Sequence, residues 1–150
     1  MGNPVVRNGD QITAPAPAPA VWLTPVVVTL GGTGGFSVGG KVVCIPKDVE
    51  DITPEVTASY NAPALGSGTP VPGTGKIKFT LAVGHKASMT KTKGEPVVVN
   101  DGASLTYRFT PETPAQVIPP TGPTAVDKTP FYDGTATFLL TPMPKLVTAG

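Results

Sequence analysis

The sequence predicts an all-β protein with essentially no helix, and three observations carry that reading. Prolines recur every few residues from Pro4 to Pro144, and each removes a backbone donor and clashes inside a helix. The chain holds 19 valines and 21 threonines, residues that suit the pleated surface of a strand. Strong helix formers are scarce, with only 8 leucines and 4 glutamates. The 18 glycines and 19 prolines approach the composition of a disordered chain, but the valine content and the low 14% of charged residues argue for order. A length of 150 residues suits a single domain with its own core.

The strands are expected between turn signals. Val21–Leu30 carries Pro25, which predicts an edge strand or two short ones. Phe36–Ile45 reads as a hairpin turning at Gly39-Gly40, where positive φ is tolerated. In Lys76–Val83, Ile77, Phe79, Leu81 and Val83 alternate with wetter residues, which predicts one buried face. Pro96–Phe109 reads as a second hairpin turning at Asn100-Asp101-Gly102, and Thr135–Pro142 as a late strand. Gly9, Gly40, Gly94 and Gly102 are the expected structural turns. Three proline-rich segments, 14–20, 61–73 and 110–130, are expected as arms or loops, the first as an extended polyproline arm. Gly-Thr pairs at Gly32, Gly73 and Gly134 each precede an apolar run, a faint repeat that suggests pseudo-threefold organisation.

The inventory of reactive residues argues against catalysis. His85 is the only histidine, and no carboxylate lies near it in sequence to orient it as a base, so a solvent-facing or structural role is expected. Cys44 is the only cysteine, so no internal disulfide forms, and its valine-rich flanks predict a small buried hydrophobe. One cysteine and one histidine do not make a closed metal site within one chain, so no catalytic residue, metal or cofactor is expected. The carboxylates Asp48, Glu50 and Asp51 read as a solvated loop, since sugar-stacking aromatics are sparse. Lys86, Lys91 and Lys93 read as a wet hairpin or as a surface for an acidic protein. They lack the interleaved aromatics of a nucleic-acid platform. The Gly-Thr-Gly segments lack the lysine and helix of a phosphate loop. A formal net charge of +1 recruits neither nucleic acid nor an anionic membrane. No apolar run reaches membrane-helix length, and the first ten residues lack a signal-type apolar stretch, which points to synthesis in the cytosol.

One resemblance gives the inert scaffold a job. The stretch GNPVVRNGD resembles the start of the PAAR-repeat family, with Pro4, Val5, Val6 and Arg7 in the four signature places and Gly9-Asp10 in the following step. Gly39–Ile45 (GGKVVCI) and Lys93–Val99 (KGEPVVV) are similar to that family's internal hairpins. Valines replace the two central alanines, and the intervening segments are longer than usual. The resemblance implies a small β-hairpin cone with pseudo-threefold organisation. One copy would cap the trimeric β-helical spike of a contractile injection system and sharpen it for membrane puncture. It further implies a trimeric spike partner, cargo or effectors as further partners, transient membrane contact, and action outside the producing cell. The zinc that this family holds with three histidines and a cysteine does not carry over to a chain with only His85 and Cys44. The competing reading is a β-sandwich decoration, baseplate or adhesin module of a virion or tail-like particle, which the same strands and loops would suit.

Overall fold

The computed structural model describes residues 3–141 and the backbone of 148 and 149. Its largest element is a seven-stranded sheet in the order β3 (Val21–Trp22), β7 (Val56–Asn61), β9 (Gly73–Thr80), β12 (Leu105–Thr113), β15 (Tyr132–Leu139), β2 (Gln11–Ala14), β4 (Val26–Thr29). All its pairings are antiparallel. Pro25 does split Val21–Leu30, and the two short pieces become the two edges of the sheet, where a missing donor costs least.

The sheet curls until those edges approach. Trp22 Nε1 on β3 donates to Ala14 O at 2.9 Å, on the strand next to the opposite edge. The result is a nearly closed barrel rather than the two stacked sheets of a sandwich. Its interior is filled by residues at alternate positions, as the pleat requires: Ile77 and Phe79 on β9, Leu105, Tyr107 and Phe109 on β12, and Tyr132, Ala136 and Phe138 on β15. Phe109 meets Trp22 and Tyr60 edge-on, with centroids 4.9 and 5.1 Å apart, a geometry that adds to the gain from area burial. The predicted alternation ends at Leu81. Val83 is 90% exposed because the chain leaves the sheet there for a 3₁₀ turn over Val83–His85.

The proline-rich segments depart most from expectation. Residues 61–73 and 110–130 pair with each other in a three-stranded sheet, β14 (Ala125–Val126), β13 (Gln116–Ile118), β8 (Thr69–Val71). Pro70 is tolerated because β8 is an edge. Segment 14–20 is no free arm. Ala14, Pro17 and Ala20 are buried, and Ala20 N donates to Pro17 O at 3.0 Å as the chain crosses from β2 to β3.

A buried polar knot fastens the small sheet to the barrel. Tyr60 and Tyr132 hydroxyls donate to Asp127 Oδ2 at 2.6 and 2.8 Å, Thr129 N donates to its Oδ1, and Ala115 N donates to Tyr60 Oη. Burial alone would raise the Asp127 pKa, but these donors outweigh it and hold the carboxyl below the usual aspartate value. A depressed folded-state pKa contributes stability above the unfolded value and loses it as pH falls through the folded one. Asp127→Asn is therefore expected to cost about 1–3 kcal/mol near neutrality and to flatten the acid limb of a stability–pH profile measured by urea unfolding.

The remaining strands form three two-stranded antiparallel ribbons: β1 (Asn3–Pro4) with β16 (Thr148–Ala149), β5 (Ser37–Val38) with β6 (Lys41–Val42), and β10 (Lys86–Thr92) with β11 (Glu95–Val98). Gly39 and Gly40 turn the second ribbon with φ of +59° and +80°, as expected. The third ribbon corrects a prediction, because β11 pairs with β10 through a Lys93-Gly94 turn and not with β12. At the supposed hairpin turn, Asn100 and Asp101 side chains accept from Gly102 N and Ala103 N, and the chain passes from a ribbon to the barrel. Pro142, the end of the predicted late strand, lies outside the described residues.

Candidate functional site

The inner strands of the three ribbons continue into three extended segments centred on Val6, Cys44 and Val98, and these close into a ring. Val6 N donates to Val98 O at 2.9 Å, Val98 N to Cys44 O at 3.0 Å, and Cys44 N to Val6 O at 2.9 Å. Each central residue gives one bond to one neighbour and takes one from the other. Two residues further along, Asn8 N donates to Val42 O at 2.7 Å and Asn100 N to Pro4 O at 2.8 Å. The third bond of that set would start at residue 46, a proline without an N–H. Antiparallel bridges join Val5 to Val99 and Arg7 to Val43, so at two of the three junctions the residue before one centre faces the residue after its neighbour. This is a pseudo-threefold arrangement. It is built from the three stretches that carried the family resemblance, not from the Gly-Thr repeat. The repeat falls in a loop at Gly32, at the start of β9 at Gly73, and inside β15 at Gly134.

Packing follows the ring's two sides. Val6, Cys44 and Val98 join the barrel core. Val5, Val43, Val97 and Val99 form a second core with Val38 and Ala87 among the ribbons. The glycine run before β5 permits that closeness. A Cβ on Gly32 would lie 2.3 Å from Val42 O, so backbone contact, not phosphate binding, explains the small residues.

The helix α1 (Pro46–Glu50) follows the second segment, and its carboxylates correct another expectation. Asp48 accepts from Ile45 N and Thr33 N, both at 2.9 Å, and Glu50 accepts from Leu81 N, while Asp51 stands 3.7 Å from Lys78. Asp48 and Glu50 fasten the ring to its neighbours rather than lying in a solvated loop, whereas Asp51 and Lys78 are both exposed. Asp10 does for the first segment what Asp48 does for the second, accepting from Arg7 N at 2.7 Å. The third segment has Gly102 at the matching place, and Val99 N donates instead to His85 O at 2.9 Å.

Arg7 and Asp10 are both buried, 1% and 0% exposed. They meet through Thr141, which donates to Asp10 Oδ1 from its N at 2.8 Å and its Oγ1 at 2.7 Å. Arg7 donates to Thr141 Oγ1 at 2.9 Å and to Val38 O at 3.1 Å. The signature arginine thus ties the first segment, the second ribbon and the exit of β15 into one network. Nothing in the sequence marks Thr141 for this role.

His85 is buried and not solvent-facing, because Phe138 packs edge-on against its ring. Its Nδ1 accepts from Ala82 N at 3.0 Å, which leaves the proton on Nε2 to donate to Ala103 O at 2.9 Å. Asp101 Oδ1, remote in sequence, comes within 3.3 Å of Nε2. Both ring nitrogens are committed to protein partners, so His85 does not fit a metal centre. Cys44 is wholly buried, and burial, reinforced by the carboxylates of Asp48 and Asp10, pushes its thiol up to about 12. The native protein is expected to resist maleimide at pH 8 and to react in 8 M urea, and rapid native labelling would contradict the ring. Gly9, Gly40, Gly94 and Gly102 have φ of +90°, +80°, +78° and +87°.

Among the described residues, no helix is long and apolar enough to cross a membrane. No curated protein matches the chain. The family model described as contractile injection system spike tip protein matches residues 1–150, the whole chain, and the protein belongs to that family.

Proposed function

We propose that one copy of this protein caps the trimeric spike of its injection particle and stiffens the point that breaches the target membrane. The observation that carries the proposal is the ring of Val6, Cys44 and Val98, in which one chain offers three similar segments around an axis. A single subunit seated on a trimer must satisfy three equivalent surfaces at once, and internal pseudo-symmetry is the direct way to do so. The two packed cores, the network around Arg7 and the prolines that limit the unfolded chain's freedom all favour a body that transmits force without rearranging.

The role is mechanical and non-catalytic, and all 150 residues act as one unit, carried outside the producing cell as part of the assembled particle. The test is the native mass of the chain mixed with the particle's spike protein. One chain per spike trimer is expected, with the chain monomeric alone. Self-trimerisation, or three chains per trimer, would contradict the proposal.

A further inference from the structure

An open cleft of about 880 Å³ runs over the outer face of the barrel, across β9, β12 and β15. It lies within the range of about 300–1,000 Å³ usual for ligand sites, and it exceeds the clefts beside α1, which hold about 350, 510 and 460 Å³. Strand register sets its floor. Thr80, Thr106 and Thr135 stand opposite one another on the three strands, and so do Lys78, Arg108 and Asp133. All six are exposed, because their neighbours along each strand point into the barrel. Stability does not explain the charged row: Lys78 and Arg108 set like charges face to face, which weakens a sheet. Carboxylates at the margins offset them. Asp133 pairs with Arg108 at 2.9 Å, Asp51 stands 3.7 Å from Lys78, and Glu55 lies 3.3 Å from neighbouring Lys76. The Arg108 guanidinium also rests on Phe131, 3.8 Å from the ring centre, so its donors are held in place before any ligand arrives.

We infer that this cleft is a glycan-binding site, which takes a chain of uncharged sugar rings along its rows of hydroxyls and fixed charges. Threonine hydroxyls both donate and accept, as sugar hydroxyls do. Side chains directly opposed in a sheet stand roughly 4.5–5.5 Å apart, so one sugar ring can reach two of them. The Arg108–Asp133 pair adds a charged donor beside a charged acceptor, and such bonds are the stronger ones. Other ligands fit less well. The cations and carboxylates offset one another, which leaves no net field to select a polyanion. An extended peptide finds no sheet edge, since β9, β12 and β15 each have a hydrogen-bonded strand on either side. The large apolar residues of the lining, Ile77 and Tyr107, are only 5% and 2% exposed, so a protein side chain or a lipid tail finds no apolar anchor. The cleft is separate from the ring and its ribbons. It therefore goes beyond the capping role, as a contact for the glycan coat around a target cell.

The test titrates the full chain, by microscale thermophoresis, with chitohexaose, cellohexaose, laminarihexaose and maltohexaose, and with hexagalacturonate as an acidic comparison. The variants are Thr80→Val/Thr106→Val/Thr135→Val, Arg108→Ala, and a Thr124→Val control on an exposed loop outside the cleft. Valine suits an exposed strand position and removes only the hydroxyl, and equal thermal unfolding confirms that each variant folds. At least one uncharged hexasaccharide is expected to bind the wild type, with an affinity that does not change between low and moderate salt. The triple variant should bind it at least about tenfold more weakly, the sum of modest losses at three hydroxyls. Arg108→Ala, which leaves every threonine in place, should weaken it too, and the control should match the wild type. Failure of all four uncharged sugars to bind would overturn the inference, as would equal binding by both cleft variants. A preference for hexagalacturonate that fades with salt would make the cleft an anion site and overturn it as well. The variants are also titrated with the particle's purified spike. Spike affinity is expected to stay at the wild-type level, and its loss in both cleft variants would assign the cleft to the spike instead.

Discussion

Replacing Asp10 with alanine is expected to lower the unfolding free energy by about 3–5 kcal/mol, because it strands three hydrogen-bond donors at about 1–3 kcal/mol each. Asp10 is fully buried and accepts from Arg7 N, Thr141 N and Thr141 Oγ1. Its removal takes the acceptor from Arg7 N and Thr141, the residue that the Arg7 guanidinium holds, and frees the backbone turn at residues 7–10. A domain of this kind has a total stability of about 5–15 kcal/mol, so the variant should sit near the limit of folding. Asp10→Asn keeps the shape and an acceptor and should lose less. Urea titration followed by the single tryptophan, Trp22, reads the effect, because its indole lies against Tyr107 and Phe109 in the barrel. An unchanged midpoint for Asp10→Ala would show that the network around Thr141 contributes nothing.

Val98→Pro is the second large effect. Val98 N gives one of the three bonds that close the ring, and its side chain is fully buried in the barrel core. Proline removes that donor and fixes φ in a strand, at a cost of about 3 kcal/mol or more. The Cys44 carbonyl it strands adds about 1–3 kcal/mol. Natural Pro46 shows where the ring tolerates a missing donor: two residues past a centre, at the start of α1, where proline is favourable. The variant is expected to be insoluble or to unfold at much lower urea, and Cys44 should become reactive to maleimide. A folded Val98→Pro protein with a protected thiol would mean that the ring does not hold the segments together.

The legible parts of this fold are those set by neighbours in sequence. The split of Val21–Leu30 at Pro25, the Gly39-Gly40 turn and the buried face of Ile77 and Phe79 follow from period, φ and donor count, and the structure has all three. Pairing over distance is a different matter. Asn100-Asp101-Gly102 has the chemistry of a reversal, yet which strand β11 meets depends on β10, whose lysines and small residues hide its one buried apolar position, Ala87 in the ribbon core. The proline-rich segments read as loops because each lacks enough donors for a central strand, and the small sheet they form uses them where donors are least needed. The knot joins Tyr60 to Asp127, 67 residues further along the chain, and to its neighbour in sequence Tyr132, and no local pattern announces it.

The ring lies between these cases. Its three segments were visible as similar stretches, each with a valine run led in from a turn or a proline, while its closure depends on contacts between positions 6, 44 and 98. The repeated Gly-Thr pairs misled because glycine serves different ends at each site: close approach to β6 at Gly32, to the Thr113–Ala115 backbone at Gly73, and to the Tyr107 ring at Gly134.

The most direct test is an electron cryo-microscopy reconstruction of the chain bound to its spike, computed without imposed symmetry. The account predicts a single copy whose Val6, Cys44 and Val98 surround the continuation of the spike's threefold axis. A copy seated off that axis, or several copies around the shaft, would contradict it.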